Sequence, residues 1–106
     1  MISKELLEII DIIDLNLITI FKEKNKTEKE NILSRSLKLW EEVWELNKEI
    51  LCKFYKRREK DFNITELEYE FADVVITTLL LSKSLDIDIN KALKSKLKKI
   101  QNRWGI

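Results

Sequence analysis

The chain contains no proline, and its only glycine, Gly105, is the next-to-last residue. Tight hairpin turns draw on Gly, Pro, Asn and Asp for backbone angles that other residues resist. A sheet of short, hairpin-linked strands is therefore disfavoured, and the expected fold class is all-α. Helix start signals divide the sequence accordingly. Ser3 caps a first helix over 3–24, where Leu6, Ile9, Ile10, Ile13, Leu17 and Ile20 recur at helical spacing. The polar run "KEKNKTEKEN" breaks it, and inside that run Thr27 and Glu30 form a capping box for a second helix over 27–58. "TELE", with Thr65 and Glu68, repeats the box and opens a third helix over 65–85. Asp88 caps a fourth over 88–103. With 106 residues, the expectation is one domain spanning 1–106.

A second helix of roughly 30 residues is about 45 Å long, more than so small a domain covers by itself. The first helix is apolar over much of its circumference. Both features predict a homo-oligomer joined through helix faces. The formal charge is only +1, from 20 basic and 19 acidic residues, so net charge calls for no polyanionic partner. "KALKSKLKKIQNR", near the C-terminus, nevertheless holds six basic residues and no acid. Its plainest reading is a solvated helix face; a nucleic-acid- or membrane-binding amphipathic helix is the competing one. Cys52 has no second cysteine to pair with, which fits a reducing compartment. The apolar N-terminal stretch is interrupted by Glu5, Glu8, Asp11 and Asp14, unlike a signal peptide or a transmembrane span. The expected location is the cytoplasm.

Acidic residues carry the functional signal. "EYEFADVVITTLLLS" is apolar nearly all round a helical wheel, yet holds Glu70 and Asp73, three residues apart and so on adjacent turns of one face. Asp is a poor mid-helix residue, and two like charges that close need a positive partner. The second helix carries a matching pair, Glu42 and Glu45, with Glu41 and Glu49 beside them. If helices 2 and 3 pack antiparallel, four carboxylates converge, a set of hard oxygen ligands suited to Mg²⁺ or Mn²⁺. The chain has no His, which removes the Glu-x-x-His di-iron constellation, His-based zinc sites and His-dependent nucleophilic catalysis. There is no P-loop pattern either.

"EEVWE" followed by "EFAD" resembles the Glu-Glu-x-x-Glu … Glu-x-x-Asp signature of MazG-type proteins, of the all-α nucleoside triphosphate pyrophosphohydrolase superfamily. "EFADVVITTLLLSKSLDIDINKAL" is similar to the family's following helix and turn, and "KLKKIQNRW" to its last helix. The resemblance covers about residues 37–104. It implies a four-helix bundle assembled as a dimer or tetramer, and Mg²⁺-dependent cleavage of a nucleoside triphosphate to the monophosphate and pyrophosphate. Carried over by position, Glu42, Glu45, Glu70 and Asp73 would ligate the metal. Glu41 would have a catalytic role, orienting the attacking water or holding a second ion through water. Lys96, Lys99 and Arg103 would face the phosphates. Trp40 and Trp44, four residues apart and flanking the acids, are the candidate base-stacking surfaces. The sequence departs from the family pattern at three places. Trp44 replaces a commonly small residue, Asp86 the usual glycine of the last turn, and Ile100 a common asparagine. The alternative reading is a non-enzymatic helical assembly or regulatory protein whose acids merely balance lysines.

Overall fold

The computed structural model describes residues 1–55 and 62–106 and comprises four helices and no strand among them. They are α1 (Lys4–Glu23), α2 (Glu28–Tyr55), α3 (Ile64–Ser84) and α4 (Ile89–Trp104). Three of the four expected start signals act as read. The Leu6 N–H donates to Ser3 Oγ at 3.1 Å. Thr27 and Glu30 exchange reciprocal capping-box bonds, Thr27 N–H to Glu30 Oε1 at 3.2 Å and Glu30 N–H to Thr27 Oγ1 at 3.1 Å. The Lys91 N–H donates to Asp88 Oδ1 at 3.1 Å.

The third start signal is corrected. Asn63, not Thr65, caps α3, its Oδ1 accepting from Thr65 N–H at 2.8 Å and Glu66 N–H at 3.3 Å. Asn is the stronger N-cap, and with its side chain taking both orphan donors, Thr65 is drawn inside the first turn. The expected end of the second helix at 58 falls outside the described residues.

The α1–α2 and α3–α4 turns each close on a residue with a left-handed backbone, Asn25 at φ 58° and Asp86 at φ 55°. Asp tolerates that region better than most residues, but glycine enters it without a Cβ penalty. Asp86→Gly is therefore expected to raise stability by about 0.5–1 kcal/mol, read as a higher urea midpoint at unchanged m-value. An unchanged or lower midpoint would count against strain in this turn.

Helices α2 and α3 form the main packed pair and run antiparallel: Arg35 of α2 bonds the Leu80 carbonyl of α3, while Glu42, further along α2, meets Glu70 and Asp73, earlier in α3. Helix α1 lies across this pair and is tied to it by charge, through Asp14 to Arg35 of α2 and through Asp11 to Lys83 of α3. Helix α4 buries none of its residues. Its start is pinned to the N-terminal segment by Asn90, which accepts from the Ile2 N–H at 3.1 Å and donates to the Ile2 carbonyl at 2.9 Å.

The core is thin. Among the described residues only Ile10, Cys52 and Leu79 are buried apolar side chains. The radius of gyration is 16.8 Å, against about 13 Å for a compact domain of this length. The expected apolar stripe of α1 is only partly covered, with Ile10 inside and Ile9 and Ile20 exposed. No helix among the described residues is long and apolar enough to cross a membrane.

Candidate metal centre

The antiparallel pairing of α2 and α3 creates a polar seam. On α2, Arg35, Lys38, Glu42, Glu45 and Glu49 recur at three- and four-residue steps and share one side of the helix. On α3, Glu70, Asp73 and Thr77 do the same. At the middle of the seam Glu42, Glu70 and Asp73 each present a carboxylate oxygen, and the three oxygens lie within 4.8 Å of one another. Glu42 and Glu70 are half-buried and Asp73 is exposed.

Three of the four expected ligands are thus brought together. Glu45, one turn further along α2, is paired with Lys48 at 2.9 Å, yet it still acts on Glu70 through its charge. Glu41 is exposed and points to Lys38, whose Nζ lies 3.4 Å from it and 3.1 Å from Glu42. Asp73 lies in a less enclosed setting than its apolar flanks in the sequence imply, because Phe71 and Val75 beside it are themselves exposed. Trp40 and Trp44 are 75% and 58% exposed, so neither belongs to the core of the chain. Lys96, Lys99 and Arg103 stand exposed on α4 and form no ion pair among the described residues.

The electrostatics of the cluster are those of crowded like charges. Glu70 is held above the ordinary carboxylate range, first by desolvation, then by the charges of Asp73, Glu42, Glu45 and Glu49. Lys38 is pushed the other way from neutrality: its hydrogen bond to Glu42 raises its pKa and keeps it cationic. One lysine therefore offsets part of the charge that three converging acids and their neighbours create. One turn along α3 from Asp73, the buried Thr77 donates Oγ1 to the Asp73 main-chain carbonyl at 2.6 Å.

A carboxyl whose pKa is higher folded than unfolded makes the native state bind more protons than the unfolded state between the two values. Stability then falls as pH rises through that window. For Glu70 the window opens at the model-compound value of 4.5 and extends upward. Glu30, lowered chiefly by the Thr27 backbone N–H, has its window below 4.5, where stability falls as pH falls. In divalent-free buffer the melting temperature is therefore expected to rise as pH is lowered from neutrality towards 4.5 and to decline below it. Glu70→Gln is expected to flatten the upper limb only. An upper limb that survives that substitution would assign it to other groups.

Two features of the seam escaped the sequence reading. Asp14 and Arg35, 6% and 4% exposed, form a buried ion pair, with Arg35 Nη1 at 2.7 Å from Asp14 Oδ1. The same nitrogen donates to the Leu80 carbonyl at 2.7 Å, while Asp14 Oδ1 accepts no well-aligned hydrogen bond, so its contact with Arg35 is electrostatic. The signal was present in the sequence: Asp14 falls four residues after Ile10 and three before Leu17, an acid on the apolar stripe of α1. Lys38 as the partner of Glu42 was equally legible from its four-residue spacing.

Comparison with family models, with curated proteins and with solved structures yields no match.

Proposed function

We propose that this chain is a Mg²⁺-dependent nucleoside triphosphate pyrophosphohydrolase, converting a ribo- or deoxyribonucleoside triphosphate to the monophosphate and pyrophosphate. The observation that carries the reading is the convergence of Glu42, Glu70 and Asp73 from two helices, three carboxylate oxygens within 4.8 Å of one another. Three carboxylate oxygens without a nitrogen or sulfur donor form a hard set, which fits Mg²⁺ and also Mn²⁺. Glu45, one turn away, is the fourth candidate ligand. The cation would supply charge neutralisation at the phosphates and Lewis-acid activation of water for attack at the α-phosphorus.

The chain's own residues would divide the remaining work. Glu42, Glu70 and Asp73 would hold the cation that makes a polyanionic substrate tolerable beside so many acids. Lys38 fixes Glu42 and borders the site with positive charge. Glu41 would orient water, as the resemblance implies. Lys96, Lys99 and Arg103 would stabilise charge on the departing pyrophosphate, a role requiring α4 of this or a second copy to approach the seam.

Assembly belongs to the same reading. The accessible surface is 8514 Å², whereas a folded monomer of 12.7 kDa exposes about 6,200 Å². The excess, about 2,300 Å² on one chain and so about 4,600 Å² over a pair, falls in the range of obligate subunit interfaces. Apolar side chains left uncovered on α2 and α4, among them Leu37, Trp40, Leu97 and Trp104, are suited to fill it. A homo-oligomer, dimer or tetramer, would give α4 a packing partner, and that same observation supports the alternative of a purely structural helical assembly.

The test is a panel of canonical and modified nucleoside triphosphates with Mg²⁺, products resolved as pyrophosphate or orthophosphate, and a chelator control. Pyrophosphate release that stops with chelator supports the hydrolase. Orthophosphate as the product overturns attack at the α-phosphorus, and no turnover by a folded oligomer favours the assembly protein.

A further inference from the structure

Beside the acidic cluster, towards α1, lies a cavity of about 440 Å³ bounded by all three of α1, α2 and α3. Its walls are largely apolar, with Ile13, Leu17, Phe21 and Leu80 contributing, and Arg35 and Lys38 are its charged members. The size falls within the range of small-molecule sites. It adjoins the cluster on both helices. Lys38 lines it and reaches Glu42 at 3.1 Å, and Thr77 lines it and bonds the Asp73 carbonyl at 2.6 Å.

Arg35 is the unusual member. Two of its nitrogens, Nε and Nη2, are buried without a hydrogen-bond partner, while Nη1 is committed to Asp14 and Leu80. Buried guanidinium donors left unsatisfied are costly, and native structures rarely leave them so. Of the cavities described, Arg35 borders only this one. Asp14 already balances the positive charge. The site is therefore matched to a neutral acceptor with flat apolar faces rather than to a phosphate or carboxylate.

We propose that this cavity takes the base of the nucleotide and that the Nε–Nη2 edge of Arg35 selects bases bearing two adjacent acceptors. The inference rests on the nucleotide reading above and adds the substrate class to it. Along α2, Arg35 precedes Glu42 by seven residues, about 10.5 Å, a span suited to a base edge at one end and a phosphate at the other. The fork matches O6 and N7 of guanine and other 6-oxopurines, the pairing Arg makes with guanine elsewhere, and equally O2 and N3 of cytosine. It meets a donor beside the acceptor on adenine and between the acceptors on uracil.

The experiment uses the full-length protein without metal and reads nucleoside binding by titration, so that it does not depend on turnover. Guanosine and cytidine are expected to bind roughly tenfold more tightly than adenosine and uridine. 7-Deazaguanosine, which lacks one acceptor, is expected to lose most of guanosine's advantage. Because removing Arg35 alone strands Asp14, the confirming variant is the double change Asp14→Leu/Arg35→Met, expected to level the preference while the helical spectrum persists. Equal binding of all four nucleosides, binding of none, or an undiminished preference in the double variant overturns the proposal, and a cavity holding only water gives the second of these. Selective nucleoside binding without triphosphate hydrolysis would keep the pocket and reject the hydrolase. Hydrolysis indifferent to the base would do the reverse.

Discussion

Replacing Asp73 by Asn is expected to reduce Mg²⁺-dependent pyrophosphate release by a hundredfold or more, about the upper bound seen for outer-shell changes and a floor for a direct ligand, while leaving the helical spectrum and the unfolding midpoint nearly unchanged. The two halves of the expectation have separate causes. Asp73 is exposed, so its side chain carries little packing energy, and exposed substitutions usually fall within about 0.5 kcal/mol. Removing its charge also relieves Glu70, for which Asp73 is the largest charge contribution after desolvation. Without metal the variant should be as stable as the parent or slightly more so, and the pKa of Glu70 should move back towards its ordinary value. With metal the order should invert, because the parent gains the stabilisation of a bound cation and the variant largely does not. The decisive measurement is therefore a melting curve with and without Mg²⁺ for both proteins, beside the product assay. If Mg²⁺ raises the melting temperature of parent and variant alike, Asp73 is no ligand, and the convergence of the three acids is a surface accident.

The helices were legible because local signals decide them. Ser3, the Thr27–Glu30 box and Asp88 act within one turn of chain, and their energetics need no tertiary partner. Asn63 was missed by the same logic misapplied, since two good caps stood two residues apart and the better acceptor won. Glu42 meeting Glu70 and Asp73 was legible at longer range because an antiparallel pair with a short link leaves few registers open, and the acidic pairs mark one of them. What periodicity could not give was exposure. A helical wheel assigns Phe71 and Val75 an inside without saying whether this chain or another copy supplies it, and here neither is covered by the described residues. Nor could it give the length of side-chain reach: Glu45 shares the face of Glu42 but turns to Lys48. The spacing of charges along α2 makes Glu41, Glu42 and Glu45 candidates alike, and only the packed seam separates Glu42, which meets Glu70 and Asp73, from the other two.

Arg35→Ala is expected to lower folding stability by about 3–5 kcal/mol, because it leaves Asp14 buried without its ion-pair partner. For a domain whose total is about 5–15 kcal/mol, that brings unfolding close to ambient conditions, visible as a large drop in urea midpoint. Asp14→Ala should cost a similar amount from the other side, stranding a guanidinium that already has two unsatisfied nitrogens. The double variant Asp14→Leu/Arg35→Met is expected to be far milder than the sum and to fall within about 1–2 kcal/mol of the parent, since apolar replacements fill the volume and remove both desolvation penalties together. The exposed pair between Lys83 and Asp11 provides the internal control. Both side chains are about half-exposed, and breaking it should cost under about 1 kcal/mol, despite the raised pKa that Asp11 gives Lys83. Its contribution should also fade with added salt, whereas that of the Asp14–Arg35 pair should persist, because ions in solution screen surface charges and hardly reach buried ones. Additive single-mutant losses at Asp14 and Arg35 would show that the two residues do not act as a pair, and would leave the attachment of α1 to its apolar contacts and the Asp11–Lys83 pair.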